Sequence, residues 1–314
     1  MLAYAAKRLG LSVVIVSVAM ALLFCMIYLI PGDPASVALG PRASEAMKEA
    51  LRVRMGLDQP VWTQFWNFYS SAWRGDFGNE VLSGRPVIEV VLQQLPYTLA
   101  LIVGGITWSV GLGIPLGCWA AVKRGSFADR VVGVLSVAVI AVPSFVVAIY
   151  ALLIFAVSLR WLPAIGAGEP GHLGDQLIHL ILPSLAVGLG WVGYIARMVR
   201  ASMLEVLEAP HIRTARAFGL PDALVTYRYA LTIAILPTVT LLGIGIGQML
   251  SSAVFAEIVF ARPGVGRLVY DAILTRNFPV VTGAVLVTTA FFVLVNLIAD
   301  LVIGALDPRV RSSF

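Results

Sequence analysis

The chain has 314 residues, of which 59% are hydrophobic and only 12% charged, with a mean hydropathy of +0.92 and a net charge of +5. A soluble domain carries about 25% charged residues, so a soluble enzyme and a disordered chain are both excluded. Six stretches contain no Asp, Glu, Lys or Arg: 9–30, 95–122, 131–159, 177–196, 231–256 and 280–299. Each has at least 20 residues, and about 20, rising 1.5 Å each, cross ~30 Å of hydrocarbon. These are helical lengths, unlike the ~10-residue alternation of an outer-membrane barrel. The sequence predicts an all-α, polytopic membrane protein of one domain with six transmembrane helices, the last two running on to about 260 and 306.

The first run, 9–30, follows Lys7 and Arg8. It exceeds the ~7–15 residues of a signal-peptide core, so it reads as a retained helix. Segment 31–94 opens with Pro31-Gly32-Asp33-Pro34, which stops that helix. A short helix is predicted from Ser44, its N-cap, to Gly56, with Met47, Leu51 and Met55 on one face. Beyond it Trp62, Phe65, Trp66, Tyr69 and Trp73 recur at helical spacing. That stripe fits an interfacial aromatic belt first, and a surface for a substrate or a delivering protein second.

Basic residues set the expected orientation. With the N-terminus inside, segments 1–8, 123–130, 197–230 and 307–314 hold 12 Lys/Arg, whereas the short outside segments 160–176 and 261–279 hold 4. Segment 31–94 is too long for the positive-inside rule and is left out. Both termini are therefore expected in the cytoplasm, with Arg262, Arg267 and Arg276 as mild violators.

Segment 197–230 switches abruptly to Arg197, Arg200, Arg213, Arg216 and Arg228, with Glu205, Glu208 and Asp222 between them. Pro210 can open a helix and Gly219-Leu-Pro221 can close one, which predicts about two turns over 211–218. So short a helix has little stability of its own. It is either a solvated turn or a helix that docks on a partner.

Several chemistries are missing. The three lysines, Lys7, Lys48 and Lys123, none of them after a glycine, leave no phosphate-cradling loop. Gly188-Leu-Gly-Trp-Val-Gly193 matches a dinucleotide fingerprint but lies in an apolar run with no strand before it, so close helix packing explains it. Gly111, Gly113 and Gly117, and Gly243, Gly245 and Gly247, read the same way. His172, Asp175 and His179 would share a helical face, but Gly171 and Gly174 argue against a stable helix there, so no metal site is expected. Cys25 and Cys118 lie in apolar runs and imply no disulfide framework. Glu257 and Asp300 lie near the ends of runs, where both can reach an interface, and no span carries a charge at its centre. That disfavours the alternative of a stand-alone carrier or channel driven by ions.

A resemblance covers nearly the whole chain. It rests on Leu29-Ile-Pro-Gly-Asp-Pro34, Gly56-Leu-Asp-Gln-Pro60, Gly75-Asp-Phe-Gly78, Gly84-Arg-Pro-Val87 and Gly113-Ile-Pro-Leu-Gly117. Further along come Ile181-Leu-Pro183, Arg213-Thr-Ala-Arg-Ala-Phe-Gly-Leu220, Pro263-Gly-Val-Gly-Arg267 and Asp307-Pro-Arg-Val-Arg311. In this order they resemble the inner-membrane permeases of binding-protein-dependent ABC importers, in the dipeptide, oligopeptide, nickel and glutathione branch. The family's cytoplasmic motif, Glu-Ala-Ala, three residues, Gly, nine residues, then Ile-x-Leu-Pro, matches literally only at Ala215, Gly219 and Leu231. Arg213-Thr214-Ala215 takes the place of Glu-Ala-Ala, and Leu236-Pro237 falls five residues too late.

The resemblance implies a type I ABC importer permease in a bacterial inner membrane. This chain would have no enzymatic activity and bind no cofactor, with ATP and Mg held by the partners. Those partners would be a second permease, two cytoplasmic ATPase subunits and a periplasmic solute-binding protein within a lipid bilayer, with no nucleic acid. It places ATPase coupling on Arg213, Thr214, Ala215, Arg216 and Gly219, and short peptides as the broadest cargo class.

Overall fold

The computed structural model describes residues 2–29, 43–54, 56–81 and 83–306. Pro31–Pro34 of the first motif, Met55 of the short helix and the 307–311 motif lie outside them. The described chain is helical, and its contacts divide it into two compact units, 1–96 with 264–314, and 97–263.

The first unit contains α1 (Leu2–Leu29), α2 (Glu45–Arg54), α3 (Val61–Trp73), the start of α4 (Val87–Val122), α10 (Val265–Leu274) and α11 (Phe278–Leu306). The start of α1 and the end of α11 are joined by Arg8 and Asp300 at 2.7 Å, so the two helices run antiparallel. Asp300 is thus held in an ion pair near the helix end. Helix α2 is capped as expected: Ser44 Oγ accepts the Met47 N–H at 3.3 Å, and Gly56 follows at φ 68°. Val87 and Val91 of α4 form a core with Val265, Ala272, Val280 and Ala284.

The aromatic stripe on α3 is divided between two faces. Phe65 meets Phe24 edge-on at 5.3 Å, Tyr69 Oη shares a 3.0 Å hydrogen bond with Ser17 Oγ, and Ala72 packs on Met20. Trp62, Trp66 and Trp73 remain exposed. Residues spaced by three and four turn one way and the remaining tryptophans the other.

The second unit contains the rest of α4, then α5 (Phe127–Ala141), α6 (Ser144–Ala151), α7 (Leu173–Leu207), α8 (Pro210–Ala217) and α9 (Leu236–Val259). Helix α4 packs on α7 along a seam of small residues. A Cβ at Gly188 would lie 2.5 Å from the Gly105 carbonyl, and one at Gly117 2.5 Å from that of Ala196. Ser109 Oγ donates to the Gly188 carbonyl at 3.0 Å, which strengthens the seam. Gly188 of the apparent dinucleotide fingerprint is therefore a packing glycine, and Gly193 approaches the Ser136 carbonyl in the same way, whereas a Cβ at Gly190 would meet only ordinary contacts.

Two expectations are corrected. The third span, 131–159, is not one helix: α5 and α6 meet at 100°. Pro143 lacks an N–H and forces Val142 into an extended conformation (φ −85°, ψ 121°), and α6 then continues as a π-helix over Leu152–Ser158. Among the described residues, five helices are long and apolar enough to cross a membrane, or six if this bent pair counts as one span. Secondly, Gly171 and Gly174 do not prevent a helix, because α7 begins at Leu173. Asp175 is committed locally: its Oδ2 accepts the Glu169 N–H at 2.6 Å, and Oδ1 lies 3.3 Å from His179 Nδ1.

Candidate coupling site

Helix α8 is the short helix that Pro210 and Gly219 predict. Pro210 presets the first turn. At the other end Gly219, at φ 77°, donates to the Arg216 carbonyl at 2.9 Å, and the Leu220 N–H returns to that of Ala215. This is a left-handed C-terminal cap, a conformation in which glycine carries no Cβ penalty.

The two faces of α8 differ sharply. Ile212 and Ala215, three residues apart, are buried in a cluster with Cys118, Ile195, Val199, Met203, Val225 and Ala230. Burial of the isoleucine side chain stabilises the attachment by about 2 kcal/mol. The opposite face exposes His211, Arg213 and Thr214, and Phe218 beyond its end is 82% exposed. Arg216 reaches Asp222 at 3.5 Å.

Of the five expected coupling residues, Arg213, Thr214 and Arg216 face outward and Gly219 forms the cap. Ala215 is turned into the core and acts as an anchor. Phe218 was not among them, although its position just before the C′ glycine projects it beyond the last turn.

The root of α8 is held by charges. Arg200, near the end of α7, grips Asp129 with two bonds, Nε to Oδ1 at 2.5 Å and Nη2 to Oδ2 at 2.8 Å. Asp129 also accepts the Gly125 N–H at 3.0 Å, while Ser126 Oγ caps the Asp129 N–H. The pattern Ser126-x-x-Asp129 is a variant capping box, opening α5 four residues ahead of its charge-free run. The Arg200 hydrogen bonds, helped by that backbone N–H, hold the Asp129 carboxyl down at about 2. More exposed, Arg124 and Glu208 pair at 2.6 Å beside it. The 123–130 turn is thus clasped to the helix that leads into α8. After α8, Val225–Ala230 is wound as a π-helix and contributes Val225 and Ala230 to the cluster that anchors α8.

Comparison with known proteins decides the family. Residues 113–312 match the binding-protein-dependent transport system inner membrane component, and residues 1–102 match the N-terminal part of such components. The chain belongs to this family. It is 38% identical over 314 residues to the glutathione transport system permease protein GsiC of Escherichia coli (strain K12), covering 99% of both chains. Its Pectobacterium atrosepticum counterpart is 37% identical over 311 residues, again with 99% of each covered. In fold it resembles a chain of the MetNI methionine ABC transporter in inward-facing conformations. The TM-score is 0.52 at 19% identity, over 69% of this chain and 95% of that one. The protein is an inner-membrane permease subunit of an ABC importer.

Proposed function

We propose that this permease carries short peptides or peptide-like thiols such as glutathione, handed over by a periplasmic binding protein. It does so beside a second, similar permease and above two ATPase subunits that hold the ATP and Mg. Both termini and α8 face the cytoplasm, in keeping with the excess of Lys/Arg on that side. The whole chain serves as one translocation domain, without an ATP site of its own. The relatives' glutathione cargo supports the substrate class.

The observation that carries this reading is the two-faced helix α8. Its buried face is rooted in the packed cluster of α4, α7 and the π-helix, while Arg213, Thr214 and Phe218 are displayed. Exposed aromatic and arginine side chains are the residue types enriched in protein interfaces. Closure of an ATPase pair on nucleotide can bias the permease between its open states only through such an attached contact.

The test is tagged co-purification from native membranes, with the retained subunits identified by mass spectrometry. Two ATPase subunits and a second permease are expected with the wild type. Phe218→Ala and Arg213→Glu should keep the permease folded and lose the ATPases, by about tenfold or more in retention. Unchanged retention in both variants would remove α8 from the docking site, and recovery of this chain alone would defeat the importer assembly.

A further inference from the structure

The second unit contains a buried ionisable cluster that coupling leaves unused. Glu257, in the last turn of α9, is 0% exposed, and its Oε1 accepts a 2.6 Å hydrogen bond from Thr98 Oγ1 of α4. Arg262, five residues on, is only 3% exposed. Its guanidinium carbon stands 5.9 Å from the centre of the Tyr97 ring. Its Nε and Nη1 have no hydrogen-bond partner among the described residues.

The backbone brings the arginine there by an unusual route. Helix α9 ends at Val259, Ala261 takes a left-handed φ of 45°, and the Arg262 N–H returns to the Glu257 carbonyl at 2.9 Å. A non-glycine residue in that region is strained. The Phe260 carbonyl accepts the Gly166 N–H at 2.9 Å, which fixes the turn from its other side. So a strained turn presents a guanidinium two of whose nitrogens have unused donors.

A buried donor without a partner costs about 1–3 kcal/mol. This chain pairs a guanidinium bidentately where the role is structural, as Arg200 with Asp129 demonstrates. Nε and Nη1 lie on different edges of the guanidinium, and each can donate a charge-assisted hydrogen bond to a carboxylate oxygen, an anion that arginine recognises well. Glu257 makes the cation tolerable when no anion is present. Its charge also opposes tight retention of an incoming anion, and a translocation site must release what it binds.

We propose that Arg262 receives a carboxylate of the transported solute, at the end of the unit opposite the coupling helix. Thr98 and Val122 lie about 36 Å apart along α4, so this site and the coupling helix occupy opposite ends. Arg262 is sealed in the conformation seen here and is reached when this end opens, as alternation between states requires. The proposal rests on the peptide reading above, and the two fail in different ways.

The experiment uses the assembled importer with its binding protein in ATP-loaded proteoliposomes. Uptake of trialanine and of trialanine amide is compared, each at a concentration that saturates the binding protein. Arg262→Gln should lower uptake of the free acid by about tenfold or more and leave the amide within about twofold, with Arg262→Lys intermediate. Equal loss for both forms, together with lost stimulation of ATP hydrolysis by the binding protein, would assign the carboxylate to that protein and overturn the proposal. No change in either form would overturn it too. Import of neither form by a wild type that retains its partners would defeat the peptide reading and this proposal with it. A second arm places Arg262→Cys in a background lacking Cys25 and Cys118 and labels it from outside with a charged, impermeant methanethiosulfonate. Labelling should rise during turnover relative to rest. Equal labelling in both would rule the site out, even where Arg262→Gln fails to assemble.

Discussion

Two arginines of the second unit have left water in opposite ways. Arg200 places two donors on Asp129, a carboxylate that also holds the Gly125 N–H. Arg262 is buried more deeply, yet two of its nitrogens lack partners among the described residues. A satisfied, bidentate pair fixes the distance and angle between the elements it joins, which suits a transmission path. An unsatisfied cation raises the energy of the conformation that encloses it, which suits an end that must open. The contrast suggests a division of labour along α4: rigid where force enters, poised where cargo enters.

The largest effect is expected from breaking the rigid end. Asp129→Asn or Arg200→Gln leaves the remaining partner partly desolvated and should cost about 2 kcal/mol, less than a fully buried pair because Arg200 is partly exposed. Thermal unfolding of the purified permease would show the loss, and transported solute per ATP should fall further than ATP hydrolysis. The exchange Asp129→Arg with Arg200→Asp should recover part of both. If the double variant were as impaired as the singles, the pair would not be what holds the 123–130 turn to α7.

Helix α8 offers the next test. Gly219 has open space around its Cα, so only its φ of 77° restricts the residue. Gly219→Val should cost about 1–2 kcal/mol and impair coupling, while Gly219→Asn, which tolerates the left-handed region, should be nearly silent. Equal defects in the two would show that side-chain bulk, and not the cap, is at fault.

These sites were unequally legible in the sequence. Span number and helix α8 could be read because both depend on local signals: charge-free length, Pro210 at the start and Gly219 at the end. The outward set on α8 was only partly legible. Ala215 belongs to the quoted motif but is an anchor, and its burial depends on Met203 and Val225, contacts that no local pattern reveals. The bend at Pro143 was visible as a proline in an apolar run, but hydropathy averaged across it. The Asp129–Arg200 pair is separated by 71 residues and Thr98–Glu257 by 159, so each is a product of tertiary structure. The Ser126-x-x-Asp129 cap is a local pattern that charge-free length passes over, whereas a Glu near the end of an apolar run marked Glu257 for attention.

At the poised end, the strain at Ala261 can be relieved without touching a charge. Ala261→Gly should stabilise the permease by up to about 1 kcal/mol, since the native φ of 45° suits glycine. Thermal unfolding would measure it. A loss of stability would mean that the entropy of the unfolded chain outweighs the strain, and the turn would then not be a stressed element.

The smallest effect separates charge from shape in the Asp129–Arg200 pair. The folded-state pKa of Asp129 lies at about 2, below its value of 3.8 in the free side chain. A lowered carboxylate pKa contributes stability that is complete above the unfolded value and is lost as the pH falls through the folded one. The stability difference between wild type and Asp129→Asn should therefore be flat from about pH 5 to 8 and shrink steadily below about pH 4. Thermal unfolding of both proteins across that range would reveal the slope. A difference that persists undiminished near pH 2 would attribute the clasp to the packing of the Asp129 side chain and its cap on Gly125. The ion pair would then lose its role as the rigid half of the contrast with Arg262.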